Sequence, residues 1–311
     1  MRQYIDLHLH STASDGSLAP AELMRLAAQA GIGTLALTDH DTTAGVPEAQ
    51  AEAVRLGLEL IPGCELSSKT EYGQVDVLGL WVPWNDQAFE ARLEELRLAR
   101  GRRNVLILDR LRSLGMPLYW PPLPAEDKHV NTEGLNASED ERENPESLKT
   151  VGRPHIARQM LQQGYVKSTR EAFERYLGEG CPAFAPKEDF SPEQAVRLLS
   201  DHGAVTVLAH PMRIPAPADW LEDLAARLKP HGLDALEAYH GEHSPAEVRQ
   251  VLDLALRHGL LLSGGSDFHG NPAARAGLGR GRGGMRVPLS ILPPLKARHT
   301  KKMNKDIPLC R

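Results

Sequence analysis

Two imidazoles stand two residues apart in Asp6-Leu7-His8-Leu9-His10-Ser11, and an extended chain turns residues i and i+2 to the same face. Imidazole is the commonest metal ligand, so His8 and His10 form a pair able to hold a divalent ion. Taken alone, the pair also fits a half-buried strand whose histidines meet solvent. The same chemistry recurs, however, each time where an apolar run ends. Asp15 follows the first pair; Thr34–Thr38 leads into Asp39-His40-Asp41, Leu58–Cys64 into Glu65, Ala204–Ala209 into His210, and Leu260–Ser266 into Asp267-Phe268-His269.

Those apolar runs need elements to place them. Continuous apolar runs separated by helix-period segments read as a parallel sheet buried on both faces. In a barrel-like α/β fold the C-terminal ends of such strands converge on one mouth. The intervening helices are legible: Pro20 starts one, with Leu23, Leu26, Ala27 and Ala30 on its apolar face and Gly31 as its stop, and a second runs from Val46 to Leu56 with Pro47 near its start. From about residue 85 to 114 the pattern becomes a long charged helix. Phe89, Leu93, Leu96 and Leu106 make an apolar stripe, and Arg97, Arg100, Arg102, Arg103, Arg110 and Arg112 a basic one, read as a solvated face or as a source of phosphate contacts.

The segments DLHLHSTASDG (6–16), LTDHDT (37–42), GCEL (63–66), GRPHIA (152–157), AHP (209–211) and SDFHG (266–270) resemble the polymerase and histidinol phosphatase (PHP) domain family, in its metal-dependent phosphoesterase branch. Within that branch the chain is most similar to nucleoside 3',5'-bisphosphate phosphatases, whose relatives also act as 5'-to-3' exoribonucleases. The likeness runs from about residue 4 to about residue 272. It implies a distorted (β/α)7-type barrel with a mainly helical insertion, and a cluster of two or three divalent ions, Mn²⁺ first and Mg²⁺, Fe²⁺ or Zn²⁺ as alternatives. His8, His10, Glu65 and Asp267 would surround one ion, Asp15, His40 and His269 a second, and Glu65 with His210 the remaining one. The family's usual histidine after the glutamate strand is replaced here by Asp76, in Val75-Asp76-Val77-Leu78-Gly79. A carboxylate suits Mn²⁺, Mg²⁺ or Fe²⁺ better than zinc; the other reading of Asp76 is a surface acid on an edge strand.

The resemblance further implies phosphoester hydrolysis by metal-activated water, with Glu65 as the bridging carboxylate and His210 or His269 as proton donor to the leaving oxygen. Arg153 and His155 would grip substrate, arginine offering a planar fork for phosphate oxygens. In Glu237-Ala238-Tyr239-His240-Gly241-Glu242-His243, His243 matches the family position more closely than His240 and is expected either to support a ligand from behind or to contact phosphate. The expected substrate is a nucleoside 3',5'-bisphosphate, with short RNA as a further one. A histidinol-phosphate-type phosphatase, or a non-catalytic metal-binding module, are the alternatives; degenerate modules lose several ligands, whereas this chain departs at one.

Composition sets the frame. The 311 residues, 41% hydrophobic and 25% charged, are ordinary for a globular enzyme. A net charge of -5 offers no global attraction for nucleic acid, so a nucleotide must be held by a local basic patch and by metals. Cys64, Cys181 and Cys310 are widely spaced and odd in number, which points to a reducing compartment. With no signal-peptide pattern and no apolar run of membrane length, a cytoplasmic location is expected, with no membrane contact and no stable protein partner implied. The barrel is expected over residues 1–84 and 191–285, and the helical insertion over 85–190, leaning over the site and carrying a mobile loop at about 121–150. Residues 286–311 read as a basic tail without order.

Overall fold

In the computed structural model, which describes residues 4–119, 145–146, 148–186, 190–270 and 277–304, seven strands lie side by side in sequence order: β1 (Tyr4–Asp6), β2 (Ile32–Leu37), β3 (Glu59–Thr70), β4 (Gly73–Leu80), β5 (Val205–Leu208), β6 (Leu233–His240) and β7 (Leu261–Gly265). The first three are mutually parallel, and so are the last three. Main-chain bonds from Leu7 N to Gly264 O (3.1 Å) and from Asp267 N to His8 O (3.0 Å) bring β7 back beside the chain leaving β1. The expected barrel is thus built on a sheet that mixes parallel and antiparallel strands. One buried cluster draws on every strand from β1 to β6, through Ile5, Ala36, Ile61, Leu78, Val207 and Ala235, with Leu261 and Leu262 of β7 packed against it.

The sheet is not wholly parallel. β3 and β4 pair antiparallel from Gly63↔Leu80 to Thr70↔Gly73, and β4 pairs antiparallel with β5. Only Glu71 and Tyr72 separate β3 from β4, too few residues for a crossover, so the chain must turn straight back. Gly73, at φ 107°, makes the return. Asp76 therefore lies on an interior strand and is buried, not on an edge.

Helices α1 (Pro20–Gln29) and α2 (Val46–Leu56) fall where the proline and glycine signals put them, and bury Leu23, Met24, Ala27, Ala49 and Ala53 against Leu35, Leu37 and Leu60. The chain divides into two compact units, Met1–Ala91 with Asp189–Arg311, and Arg92–Glu188. Helix α3 (Gln87–Ser113) leads into the second unit, which also holds α4 (Arg153–Gln162) and α5 (Thr169–Ala172), continued as a π turn over Phe173–Leu177. Its core gathers Ile107, Leu108, Leu111, Leu148, Val151, Ile156, Met160 and Leu177. Leu106 of the expected apolar stripe is 50% exposed, while Arg97, Arg100 and Arg103 are buried, so these three do not form a solvated basic face. Most of the expected loop at 121–150 lies outside the described residues.

In the first unit the chain continues through α6 (Pro192–Asp201), α7 (Ala218–Leu228) and α8 (Pro245–His258). Ser191 and Ser244 cap α6 and α8, each accepting a hydrogen bond from the third residue of its helix. The basic tail is corrected: Leu292–Met303 forms a ninth helix among the described residues, α9. Its Leu292 and Leu295, with Ile291 before them, join the cluster of the strands. Buried Asp234 pairs with Arg298 and Lys302, each at 2.6 Å, and Lys302 also donates to Ala204 O at 2.7 Å. A few apolar residues among many cations read as a tail, because the acid that answers the cations is remote in sequence.

Candidate metal centre

His8 and His10 lie just past β1, on an extended segment that bonds to both neighbours: Thr38 N donates to Leu9 O at 2.9 Å and His10 N to Phe268 O at 3.1 Å. Gly265 of β7 makes this approach possible, since a Cβ there would sit 2.3 Å from the His8 Cβ. Two buried aspartates fix the ends of the site. Asp6 accepts from Ser266 N (2.8 Å), Ser266 Oγ (2.6 Å) and Gly279 N (2.8 Å), tying the start of the chain to the segment that carries Asp267. Burial pushes its carboxyl up to about 6 in spite of those bonds. Asp39 accepts from Ser11 N, Ser11 Oγ and Ser14 Oγ at 2.6–2.8 Å and so holds the turn that presents Asp15. At the strand ends Asp41, His210 and Asp267 take positive φ values of 55°, 27° and 54°. Non-glycine residues keep such backbones only where their surroundings enforce them, and such sites are commonly functional.

All nine residues expected as ligands meet in one continuous cluster. Glu65 is its centre: Oε2 stands 3.3 Å from His8 Nε2, 3.1 Å from His10 Nε2 and 3.4 Å from His40 Nδ1, and Oε1 lies 3.4 Å from His210 Nε2. Asp267 Oδ1 approaches His8 (3.4 Å), His10 (3.3 Å) and His269 (3.5 Å). Asp15 meets His10 (3.7 Å), His40 (3.8 Å) and His269 (3.2 Å). Among the described residues Asp76 joins through His210, at 3.7 Å, and the Gln74 amide donates to both its oxygens at 2.9 Å. Ligand atoms lie within 4.8 Å of one another in three overlapping groups: His10, Asp15, His40 and His269; His8, Glu65 and His210; His8, His10 and Asp267.

Electrostatics follow from that crowding. Burial by itself would raise Glu65, Asp15 and Asp267, but the surrounding imidazoles hold all three well below the usual carboxylate range. Burial would lower His10, yet its bonds to Asp267 and Glu65 push it up to about 10; against the same effect of burial, His8 is raised by the charges of Glu237 and Glu65, and His210 by Glu65 and Asp76. The residues suit divalent cations. Glu65 Oε1, His10 Nδ1 and His40 Nδ1 are buried with no hydrogen-bond partner among the described residues, and buried polar atoms of that kind call for a partner. The mixed imidazole and carboxylate donor set is that of borderline-to-hard divalent ions.

Sequence reasoning passed over two residues. Glu237, fully buried on β6, accepts from His8 Nδ1 (3.1 Å) and from His210 N (2.8 Å), so one carboxylate orients two members of the cluster. Such carboxylate–histidine pairs set the tautomer of a ligating imidazole. Burial would raise Glu237, but His8 beside it brings it down to about 2. The other is His240, whose Nε2 stands 3.5 Å from Asp267 Oδ2. His243 sets its Nδ1 3.0 Å from Ala238 O, with its ring centroid 5.0 Å from that of His240. Glu237 and His240 stand three apart, a spacing that regular alternation puts on opposite faces; the β6–β7 register shifts between Glu237 and Tyr239, and both Glu237 and His240 meet the cluster.

Arg153 and His155 belong to the second unit. There Arg153 donates to Leu177 O at 3.4 Å and stacks its guanidinium 5.9 Å from the centroid of Phe173, while His155 Nδ1 accepts from Gly152 N at 3.0 Å and closes the start of α4.

A mixed α/β barrel whose strand ends gather imidazoles and carboxylates around one glutamate defines a class of metal-binding hydrolase folds. The chain belongs to the PHP domain family, whose model matches residues 6–178. It is 37% identical over 280 residues to a 5'-3' exoribonuclease of Salmonella typhimurium, covering 88% of each chain. It is 34% identical to a 3',5'-nucleoside bisphosphate phosphatase of Chromobacterium violaceum, over 85% of this chain and 87% of the relative. A solved structure assigned as a metal-dependent phosphoesterase from Bifidobacterium adolescentis superposes with a TM-score of 0.76 at 28% identity, over 95% of this chain and 96% of that one. The neighbours and the His/Asp/Glu clusters together indicate divalent-metal binding.

Proposed function

We propose that this chain is a metal-dependent phosphoesterase that removes the 3'-phosphate of nucleoside 3',5'-bisphosphates and, with the same site, degrades short RNA from its 5' end. The observation that carries the reading is the single cluster around Glu65, in a chain whose similar relatives carry those two activities. Mn²⁺ is the proposed ion, because the carboxylates of Asp15, Glu65, Asp76 and Asp267 harden the donor set. Three ions are proposed: one at His8, His10, Glu65 and Asp267; one at Asp15, His40 and His269; and a weaker one at Glu65, His210 and Asp76, where Gln74 competes for both Asp76 oxygens.

When bound, the ions supply an activated water and neutralise charge on the phosphoryl oxygens. The protein's own groups do the rest. Glu65, with its two oxygens aimed at different imidazoles, would help to hold more than one of the ions. Glu237, beside His8 Nδ1, would hold a proton on that nitrogen when Nε2 serves as the ligating atom. Of the two imidazoles at the rim, His269 at 32% and His210 at 12% exposure, one is the proposed proton donor to the departing ribose oxygen, in place of its role as a ligand. Arg153, His155 and His243 are proposed substrate contacts. Two free cysteines, Cys64 buried and Cys181 partly so, support a reducing, cytoplasmic setting.

A substrate panel with Mn²⁺ tests the reading. Turnover of adenosine 3',5'-bisphosphate and 5'-phosphorylated oligoribonucleotides, lost on chelation, is expected. Efficient turnover of histidinol phosphate with neither of these would replace the reading by a histidinol-phosphate-type phosphatase; no turnover of any phosphoester would leave a metal-binding module.

A further inference from the structure

The segment after His210 puts a cation against the cluster. Arg213 ends a short 3-10 turn, Pro211–Arg213, and its Nη1 donates to Asp267 Oδ2 at 3.1 Å while its Nε stands 3.4 Å from Glu242 Oε2. The two oxygens of Asp267 thus divide their work: Oδ1 faces His8, His10 and His269, and Oδ2 faces Arg213 and His240. Arg213 remains 48% exposed and Glu242 53% exposed, so the guanidinium borders both the cluster and open solvent. We propose that Arg213 is a phosphate-binding residue for the scissile phosphoryl group, and that Glu242 is its intramolecular competitor, holding the guanidinium until a dianionic phosphate displaces it.

The inference rests on the phosphoesterase reading and deepens it. A guanidinium presents a planar fork of donors that matches phosphate oxygens in a way a single ammonium cannot. The strained backbone of His210, three residues earlier, fixes where this turn leaves the barrel. A phosphoryl group seated on the cluster lies beside Asp267, and so within reach of a side chain 3.1 Å from that carboxylate. The Glu242 contact is an exposed ion pair, weak enough to exchange for the denser charge of phosphate. If Arg213 only braced Asp267, Glu242 would only brace Arg213, and removing either would weaken the site alike. If Glu242 competes with phosphate, the two removals must act in opposite directions.

That opposition is the test. R213A, R213K and E242A are compared with the wild-type Mn²⁺ enzyme for metal content, for KM and kcat on adenosine 3',5'-bisphosphate, and for inorganic phosphate binding by calorimetry. R213A should retain its metal and raise both KM and the phosphate Kd by about 10- to 100-fold, the worth of a charged hydrogen bond. R213K should recover part of that loss, and E242A should lower the phosphate Kd by about threefold. The proposal is overturned if R213A binds phosphate within twofold of wild type, if R213A and E242A shift it in the same direction, or if R213A loses its metal in proportion to activity. Should the wild type hydrolyse no phosphoester, the functional reading fails, and phosphate calorimetry on the same variants still decides the role of Arg213.

Discussion

Glu237→Gln isolates how a buried carboxylate controls the cluster without being one of its ligands. Glu237 receives two donors, His8 Nδ1–H at 3.1 Å and His210 N–H at 2.8 Å. A glutamine has one acceptor and one donor end, so it cannot serve both. If its oxygen turns to His210, its NH₂ faces His8, which keeps a hydrogen bond only by moving its proton to Nε2, the atom 3.3 Å from Glu65 and 3.4 Å from Asp267. That proton blocks the ligating lone pair. If its oxygen turns to His8 instead, the His210 N–H is left buried and unanswered beside a strained backbone. Either arrangement forfeits a charged hydrogen bond, about 1.5–3 kcal/mol of stability in the metal-free protein, and weakens metal binding about 10- to 100-fold, as loss of an orienting partner does. Urea denaturation of the chelated proteins reads the first figure, and competition with a metallochromic indicator the second. Metal affinity within twofold of wild type, in a protein with unchanged circular dichroism, would refute the argument.

Other consequences can be checked alongside. His10→Ala removes the imidazole that meets Glu65, Asp15 and Asp267, and should lower phosphoesterase activity at least about 100-fold with far-ultraviolet circular dichroism unchanged; retained activity would dissolve the centre. Asp76→Asn should reduce the metal content by about one ion per chain, read by elemental analysis, while leaving the positions around Asp15 and Asp267 filled. Chelation should lower Tm by roughly 5–10 °C, since an ion at a hundred times its Kd contributes about 2.7 kcal/mol, and added Mn²⁺ should restore it. Leu295→Ala should cost about 2–5 kcal/mol in denaturant unfolding, because Leu295 is fully buried among the strands; a cost under about 0.5 kcal/mol would return residues after 286 to a tail.

The residue types of the centre were legible because each stands in a short motif of its own: His8 and His10 two apart, His40 between two aspartates, Glu65 and His210 closing apolar runs, Asp267 and His269 two apart. Local rules also suffice for α1 and α2, where a proline opens and a glycine closes each helix. What those rules could not supply is proximity. Glu237 is one more acid on a strand until the ring of strands brings it against His8, 229 positions away in sequence. His240 rather than His243 faces Asp267 because the register slips within β6, and Asp76 is buried because a two-residue turn folds β4 into the middle of the sheet. The cations after residue 286 stand on a helix held by remote partners, Asp234 on β6 and the strands that bury Leu292 and Leu295. Composition and spacing act over a few residues and determined which groups could do chemistry; hydrogen-bond register and buried charge pairing act between distant segments, and they alone decided which groups meet.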